Sequence, residues 1–162
     1  MLRKFGLILA CLCPGFAAAQ GLPVIETPPP GLQPLATMDA GRPFAAVGRL
    51  ETGAGFCTAT LIAADLVLTA AHCLFDDDGT RRADDAFTFN AGFRNGRVLA
   101  QRGLRASFVH PGYDYNGADG QDRIRTDIAL LRLDAPITDG SVRPLDVGGT
   151  LGRDGTVDVV SY

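Results

Sequence analysis

Short apolar runs, separated by turn-forming residues, dominate the chain downstream of residue 44. Residues 87–89 alternate with a period of two, and turn residues bound the other runs, as is typical of β-strands. We predict six strands, over residues 45–50, 56–62, 66–70, 87–89, 98–109 and 127–133. A closed barrel of such strands leaves no unpaired sheet edge. The pattern therefore predicts an all-β, antiparallel barrel, with one helical turn near residues 70–74.

The first 19 residues have the pattern of a secretory signal peptide. Arg3 and Lys4 form a positive start, residues 5–12 are apolar but too short to span a bilayer, and residues 17–19 are the small residues of a cleavage site. The sequence around Cys11 loosely resembles a lipoprotein signal, but the bulky Leu9 and the short apolar run favour simple export. We therefore expect a secreted or periplasmic protein.

The charge of the chain excludes one class of partner. Its formal net charge is −3, and removal of the predicted signal peptide takes away Arg3 and Lys4 but no acidic residue. An acidic chain without a basic cluster is not built to hold nucleic acid. No other apolar segment is long enough to cross a membrane. We expect neither nucleic-acid nor membrane partners.

Four cysteines occur in the chain, and two of them lie in the predicted signal peptide. Cys57 and Cys73 remain after its removal. Two cysteines in an exported protein indicate one disulfide bond, and closing a loop of this size contributes about 3 kcal/mol to stability. The bond would also tie the neighbour of His72 to the preceding strand.

Two metal-site interpretations are weaker than the alternatives. An EF-hand loop that began at Asp76 needs a glutamate at its twelfth position, where Phe87 stands instead, so residues 76–79 are read as a solvated acidic turn. Zinc ligation by the two cysteines with His72 and His110 lacks a closely spaced ligand pair, and oxidation after export favours the disulfide. We predict no metal and no cofactor.

Two motifs carry the chemistry. Residues 69–73 read Thr-Ala-Ala-His-Cys, and residues 126–131, Thr-Asp-Ile-Ala-Leu-Leu, place Asp127 55 positions after His72. A histidine general base needs a carboxylate that fixes its tautomer and stabilises the imidazolium. In order and residue type, these segments resemble the histidine and aspartate segments of the trypsin/chymotrypsin family of serine proteases, and the resemblance covers about residues 43–162.

The resemblance implies a Ser-His-Asp serine endopeptidase. His72 would be the general base and acid, Asp127 its orienting carboxylate, and Cys57 and Cys73 a disulfide pair. The enzyme would be a monomer that hydrolyses protein or peptide substrates without a cofactor. Asp122, Asp134 and Asp139 are alternatives to Asp127, but only Asp127 is followed by an apolar run that would seat its carboxylate.

The resemblance also implies a domain organisation, that of a double-barrel fold with its first barrel and the start of the second. The predicted parts are a signal peptide at 1–19, a Pro-rich propeptide or linker at 20–40, an N-terminal barrel at 41–137, an inter-barrel crossing segment at 138–150, and an incomplete second barrel at 151–162. A strand is expected over residues 156–162.

The family nucleophile has no match among the three serines of the chain. Ser107, Ser141 and Ser161 all lie outside a Gly-x-Ser-Gly segment, the turn that exposes such a serine. Two-barrel proteins commonly need about 200 to 250 residues. We therefore expect a chain truncated before its nucleophile and inactive alone. The alternative is a non-catalytic secreted binding module that kept the barrel and lost the chemistry.

Residues 40–50 depart from the usual family start. A regulated zymogen carries a basic residue followed by an Ile-Val-Gly-Gly-like sequence, and here Arg42 is followed by Pro43 and Phe44. This stretch is more similar to bacterial trypsin-like and glutamyl-endopeptidase-like members. This departure argues against activation by the usual zymogen cleavage after a basic residue.

Overall fold

A computed structural model describes residues 31, 33–35, 37–115, 124–149 and 157–162 of the chain. The chain divides into two units, residues 1–34 and 35–162, and every helix and strand reported below belongs to the second. The predicted signal peptide and most of the predicted linker lie outside the described residues. So do residues 151–156 of the predicted second barrel.

All six predicted strands are present, together with short helical turns. The strands are β1 Val47–Glu51, β2 Phe56–Ala63, β3 Leu66–Thr69, β4 Thr88–Ala91, β5 Ala100–Val109 and β6 Ala129–Leu133. The turns are the α-helix α1 Met38–Gly41 and the 3₁₀ turns Arg42–Phe44, Ala71–Leu74 and Asp84–Ala86. Thr37 begins α1, because its side chain accepts a hydrogen bond from the Ala40 N–H. None of the described helices is long and apolar enough to cross a membrane.

The strands form one closed antiparallel barrel in the order β1-β2-β3-β6-β5-β4, and β4 returns to β1. The predicted fold class is confirmed. Register shifts between Leu61 and Ala63 and between Leu104 and Ala106 interrupt the ladders of β2 and β5. Such irregularities bend a strand and increase its twist, which a sheet needs in order to close.

The barrel interior is filled by aliphatic side chains and phenylalanine. Leu50, Leu61, Val67, Phe89 and Leu131 are each fully buried there. Gly48 is required where β1 pairs with β4, since a Cβ at this position would lie 2.5 Å from the Phe89 ring and 2.6 Å from the Asn90 carbonyl oxygen. Burial of each large side chain contributes about 1.5 to 3 kcal/mol.

The chain that follows β6 runs along the β2–β3 hairpin. Ile137 and Val142 are buried, and the N–H groups of Ile137 and Leu145 donate to the carbonyls of Ala64 and Leu61. Residues 157–162 do not form the predicted strand. A strand needs a neighbour for its backbone groups, and no described strand pairs with this segment. Tyr162 instead donates its N–H to the Thr58 hydroxyl and its phenol O–H to the Phe93 carbonyl.

Candidate active site

The pairing of β3 with β6 explains how two residues far apart in sequence meet. Thr69, the last residue of β3, pairs with Ala129, the first residue of β6. His72 lies in the 3₁₀ turn directly after β3, and Asp127 lies just before β6. Because the strands are antiparallel, the end of one and the start of the other occupy the same end of the barrel.

Asp127 contacts His72 with both carboxylate oxygens. Its Oδ2 lies 2.7 Å from the ring Nδ1, and its Oδ1 accepts the backbone N–H of His72 at 2.8 Å. A carboxylate only accepts, so in the neutral imidazole Nδ1 carries the proton and Nε2 keeps its lone pair. The His72 side chain is 46% exposed, whereas that of Asp127 is 17% exposed. The ring is therefore held at Nδ1 by a less exposed carboxylate, and its Nε2 atom is left as the acceptor.

A disulfide bond holds the turn that carries His72. Cys57 of β2 is bonded to Cys73, with the two Cα atoms 6.3 Å apart, and the predicted pairing is confirmed. The Thr69 hydroxyl adds a hydrogen bond to the Thr58 carbonyl at 2.9 Å. The end of β3 and the start of the turn are thus fastened to β2 on one side.

Arg82 fastens the other end of the same turn. Its guanidinium donates to the carbonyls of Thr52 at 2.7 Å and Phe75 at 3.2 Å, and it forms an ion pair with Asp76 at 2.7 Å. The Phe75 N–H in turn donates to the His72 carbonyl. Arg82 lies outside every motif of the sequence. Its only signal was a basic pair in a loop, and such pairs are usually solvated.

The alternative aspartates have other partners. Asp134 accepts the Gly103 N–H at 3.2 Å. Asp139 accepts the hydroxyl and the N–H of Ser141, and these hydrogen bonds lower the pKa of Asp139 below its usual value. Asp122 lies outside the described residues.

Two of the three serines also have settled partners. The Ser107 hydroxyl donates to Asp84 and accepts from Arg81, and the Ser141 hydroxyl donates to Asp139. Neither is hydrogen-bonded to His72 in the described part of the chain. The geometry therefore assembles a histidine with a carboxylate, a pair able to take a proton at Nε2 and return it.

The acidic turn at residues 76–79 is built from local contacts. Asp76 pairs with Arg82, and Asp78 accepts the Thr80 N–H, which lowers the pKa of Asp78. Gly79 has a φ of +82°, which a residue with a side chain rarely adopts. His110, the other histidine, accepts the Gly112 N–H at Nδ1 within its own turn.

The barrel and the His72–Asp127 pair define a class of protein. The sequence model of the trypsin family, described as "Trypsin", matches residues 36–161. This chain therefore belongs to the trypsin family, as the sequence motifs predicted.

The chain is similar to a curated relative and to a solved structure. The "Suppressor of tumorigenicity 14 protein homolog" of Bos taurus is 33% identical over 96 residues, which are 55% of this chain and 10% of that protein. The chain thus spans about a tenth of that relative's length. A solved structure titled "Structure of Glu endopeptidase in complex with MPD" is 25% identical, with a TM-score of 0.49 over 59% of this chain and 42% of the other.

Proposed function

We propose that the chain is the histidine- and aspartate-bearing part of a secreted serine endopeptidase. The observation that carries the proposal is the double contact of Asp127 with His72, at 2.7 Å to the ring and 2.8 Å to the backbone. This contact fixes the tautomer and orientation that a general base requires. Membership of the trypsin family supplies the reaction class.

In the proposed mechanism, a serine hydroxyl attacks the scissile carbonyl and gives its proton to Nε2 of His72. Asp127 stabilises the imidazolium that forms and keeps the ring from turning. His72 then protonates the leaving amine. Water next attacks the acyl-enzyme and gives a proton to Nε2, and that proton returns to the serine oxygen as the carboxylic acid leaves. The residues described above supply the base and its orienting group.

The nucleophile is proposed to be a serine outside residues 1–162. Ser107 and Ser141 support this, because each is hydrogen-bonded to a carboxylate other than Asp127. Residues 1–162 alone are then expected to hydrolyse no peptide or ester substrate. Export through the leader at 1–19 is part of the same proposal, and the Cys57–Cys73 disulfide supports it, since such bonds persist in oxidising compartments.

An active-site probe tests the proposal. The reading frame that contains residues 1–162 is expressed at its full length beside the 162-residue chain, and both are treated with a fluorophosphonate that acylates activated serines. We expect labelling of the longer protein, a large loss of labelling in its His72→Ala variant, and none of the 162-residue chain.

Two outcomes would contradict the proposal. Labelling of residues 1–162 would place the nucleophile within them. A longer protein that binds peptides but is neither labelled nor active would be the non-catalytic binding module. His110→Ala is the matched control, since the His110 side chain is hydrogen-bonded only to the Gly112 N–H among the described contacts, and the backbone bond from His110 to Ile128 does not depend on the side chain.

A further inference from the structure

The fold places a third metal-ligating side chain, that of Cys57, beside His72 and Cys73, which are adjacent in sequence. The ligand atoms of Cys57, His72 and Cys73 all lie within 4.8 Å of one another. Cys57 is 16 positions before Cys73, and the β2–β3 hairpin brings it beside the turn that bears His72. While the disulfide is intact, neither sulfur is a thiolate, and a thiolate is the form of cysteine that binds metal. The group becomes a ligand set only after the bond is cut.

The distance from the His72 ring to the Cys73 sulfur matches the geometry of zinc. With Zn–S bonds of 2.3 Å and Zn–N bonds of 2.0 to 2.1 Å, a tetrahedral site holds nitrogen and sulfur about 3.5 Å apart. The Nε2 atom of His72 lies 3.6 Å from the Cys73 sulfur. Two sulfurs on one zinc stand about 3.8 Å apart. The Cα atoms are 6.3 Å apart. Rotation about the Cα–Cβ bonds therefore allows the two sulfurs, once the bond is cut, to move apart to the spacing that zinc requires.

Asp127 prepares the histidine for this role as well. Histidines that bind zinc through one ring nitrogen usually donate the other N–H to a carboxylate, which orients the ring and raises its basicity. Asp127 Oδ2 holds Nδ1 at 2.7 Å and leaves Nε2 on the side of the cysteines. The contact that orients a proton acceptor thus also orients a metal ligand.

We infer that the reduced chain binds one Zn²⁺ through the sulfurs of Cys57 and Cys73 and the Nε2 atom of His72, with water as the fourth ligand. A phosphine reductant supplies the two electrons that cut the S–S bond, takes the oxygen of one water as its oxide, and leaves that water's two protons on the sulfurs. Zinc then displaces both thiol protons as its bonds to sulfur form.

Such a site makes His72 unavailable as a base under reducing conditions. The Nε2 lone pair that would accept a proton is donated to the metal instead. Zinc is thus expected to block His72 in the reduced chain and to leave the oxidised chain unaffected. Binding itself does not depend on the proposed peptidase function, because it requires no serine and no turnover.

The test is a metal titration of the 162-residue chain with C11S and C13S, so that only Cys57 and Cys73 carry sulfur ligands. Cadmium replaces zinc as a probe, because its bonds to thiolate give an ultraviolet charge-transfer band, and zinc is then added to displace it. We expect one metal per chain after phosphine treatment and no band before it. Circular dichroism follows the barrel throughout.

Variants separate the three ligands from their surroundings. Cys57→Ser and His72→Gln should each weaken binding more than Asp127→Asn, which should weaken it about 10- to 100-fold as a lost carboxylate partner does. His110→Gln, the control, should leave binding unchanged. Equal affinity in the oxidised and reduced chains, or full affinity in His72→Gln, would overturn the inference. If reduction unfolds the barrel, zinc must refold it, and failure to do so would also overturn it.

Discussion

The interior of the barrel and the end that carries His72 are held together in different ways. The interior is packed from fully buried residues such as Leu50, Phe89 and Leu131, whose contacts are apolar and have no required direction. The site end depends on a few directional links: one disulfide, one carboxylate and the Arg82 guanidinium. The stability of the interior should therefore depend on the volume of the buried side chains. The site end should depend on whether a single hydrogen-bonding or sulfur atom is kept.

Asp127→Asn should give the largest effect, on activity alone. The amide keeps an oxygen for the His72 N–H but turns an NH₂ group towards Nδ1, so the ring must move its proton to Nε2. In the full-length enzyme, turnover should fall about 10⁴-fold, the cost of the wrong tautomer in a Ser-His-Asp triad. Steady-state hydrolysis of a peptide ester measures this, and thermal unfolding should change little.

The alternative aspartates are the controls for that experiment. Asp122→Asn, Asp134→Asn and Asp139→Asn should retain nearly full turnover. An unimpaired Asp127→Asn beside a crippled neighbour would show that the carboxylate has been assigned to the wrong residue.

Phe89→Ala should give the largest effect on stability. Its ring is fully buried against Gly48 of the paired strand β1, and truncation of such a side chain leaves a cavity that costs about 3 to 5 kcal/mol. Urea unfolding measures the loss. Phe108→Ala is the matched control, because that ring is 57% exposed and a surface change usually stays within about 0.5 kcal/mol. Equal losses at the two positions would contradict the packing described here.

Replacement of both disulfide cysteines should have an intermediate effect. Cys57→Ser with Cys73→Ser removes a covalent link across 16 positions, which should lower the free energy of unfolding by about 3 kcal/mol. The reduced wild-type chain, with metal removed, should lose a similar amount. A variant as stable as the oxidised chain would mean that Arg82 and the hydrogen bonds alone hold the turn.

Arg82→Met should cost about 1 to 3 kcal/mol, because the Thr52 and Phe75 carbonyls lose their charged donor. The loss should be local. In the variant, the amides of Phe75 and its neighbours should exchange hydrogen faster than in the wild-type chain, whereas the amides of β6 should exchange at the wild-type rate. Arg81→Met is the control, since the Arg81 side chain donates to Ser107 on β5, and the backbone bridge of Arg81 to Phe75 does not depend on that side chain. Equally fast exchange at Phe75 in both variants would show that the Arg82 side chain does not specifically stabilise the turn.

The smallest effect should appear at alkaline pH. Burial raises the pKa of Tyr162 above its ordinary value of 10.0. The unfolded chain therefore loses this proton first, and the stability that the buried phenol contributes is complete below pH 10 and declines as the pH rises through the folded-state pKa. Tyr162→Phe should remove this part of the decline. Identical unfolding profiles of the two proteins between neutral and strongly alkaline pH would contradict it.

The sequence predicts the strands better than the turns, for physical reasons. Each strand interior shows its apolar positions directly, so all six were found. Their ends were less accurate: β6 begins at Ala129 rather than Asp127, because the backbone leaves the ladder where the carboxylate turns to His72. Likewise α1 is a single turn set by Thr37, too short to produce a helical period.

The candidate site could be predicted only where it has a local motif. His72 and Asp127 stand in recognisable segments, and the disulfide follows from the two cysteines left after the leader. The links of Arg82 to residues 52, 75 and 76 depend on how two loops meet in space. No spacing along the chain encodes that meeting. The same holds for the closeness of the Cys57 sulfur to the His72 ring.

The attachment of His72 and Asp127 to one pair of strands has a consequence for how such chains diversify. Their separation is set by four paired positions between β3 and β6 and by the short stretches beyond them. The 50-odd residues that join them around the barrel do not set it. Insertions and deletions at the loop tips of residues 76–126 can therefore accumulate, and reshape the surroundings of the pair, while the distance between its two reacting groups stays the same.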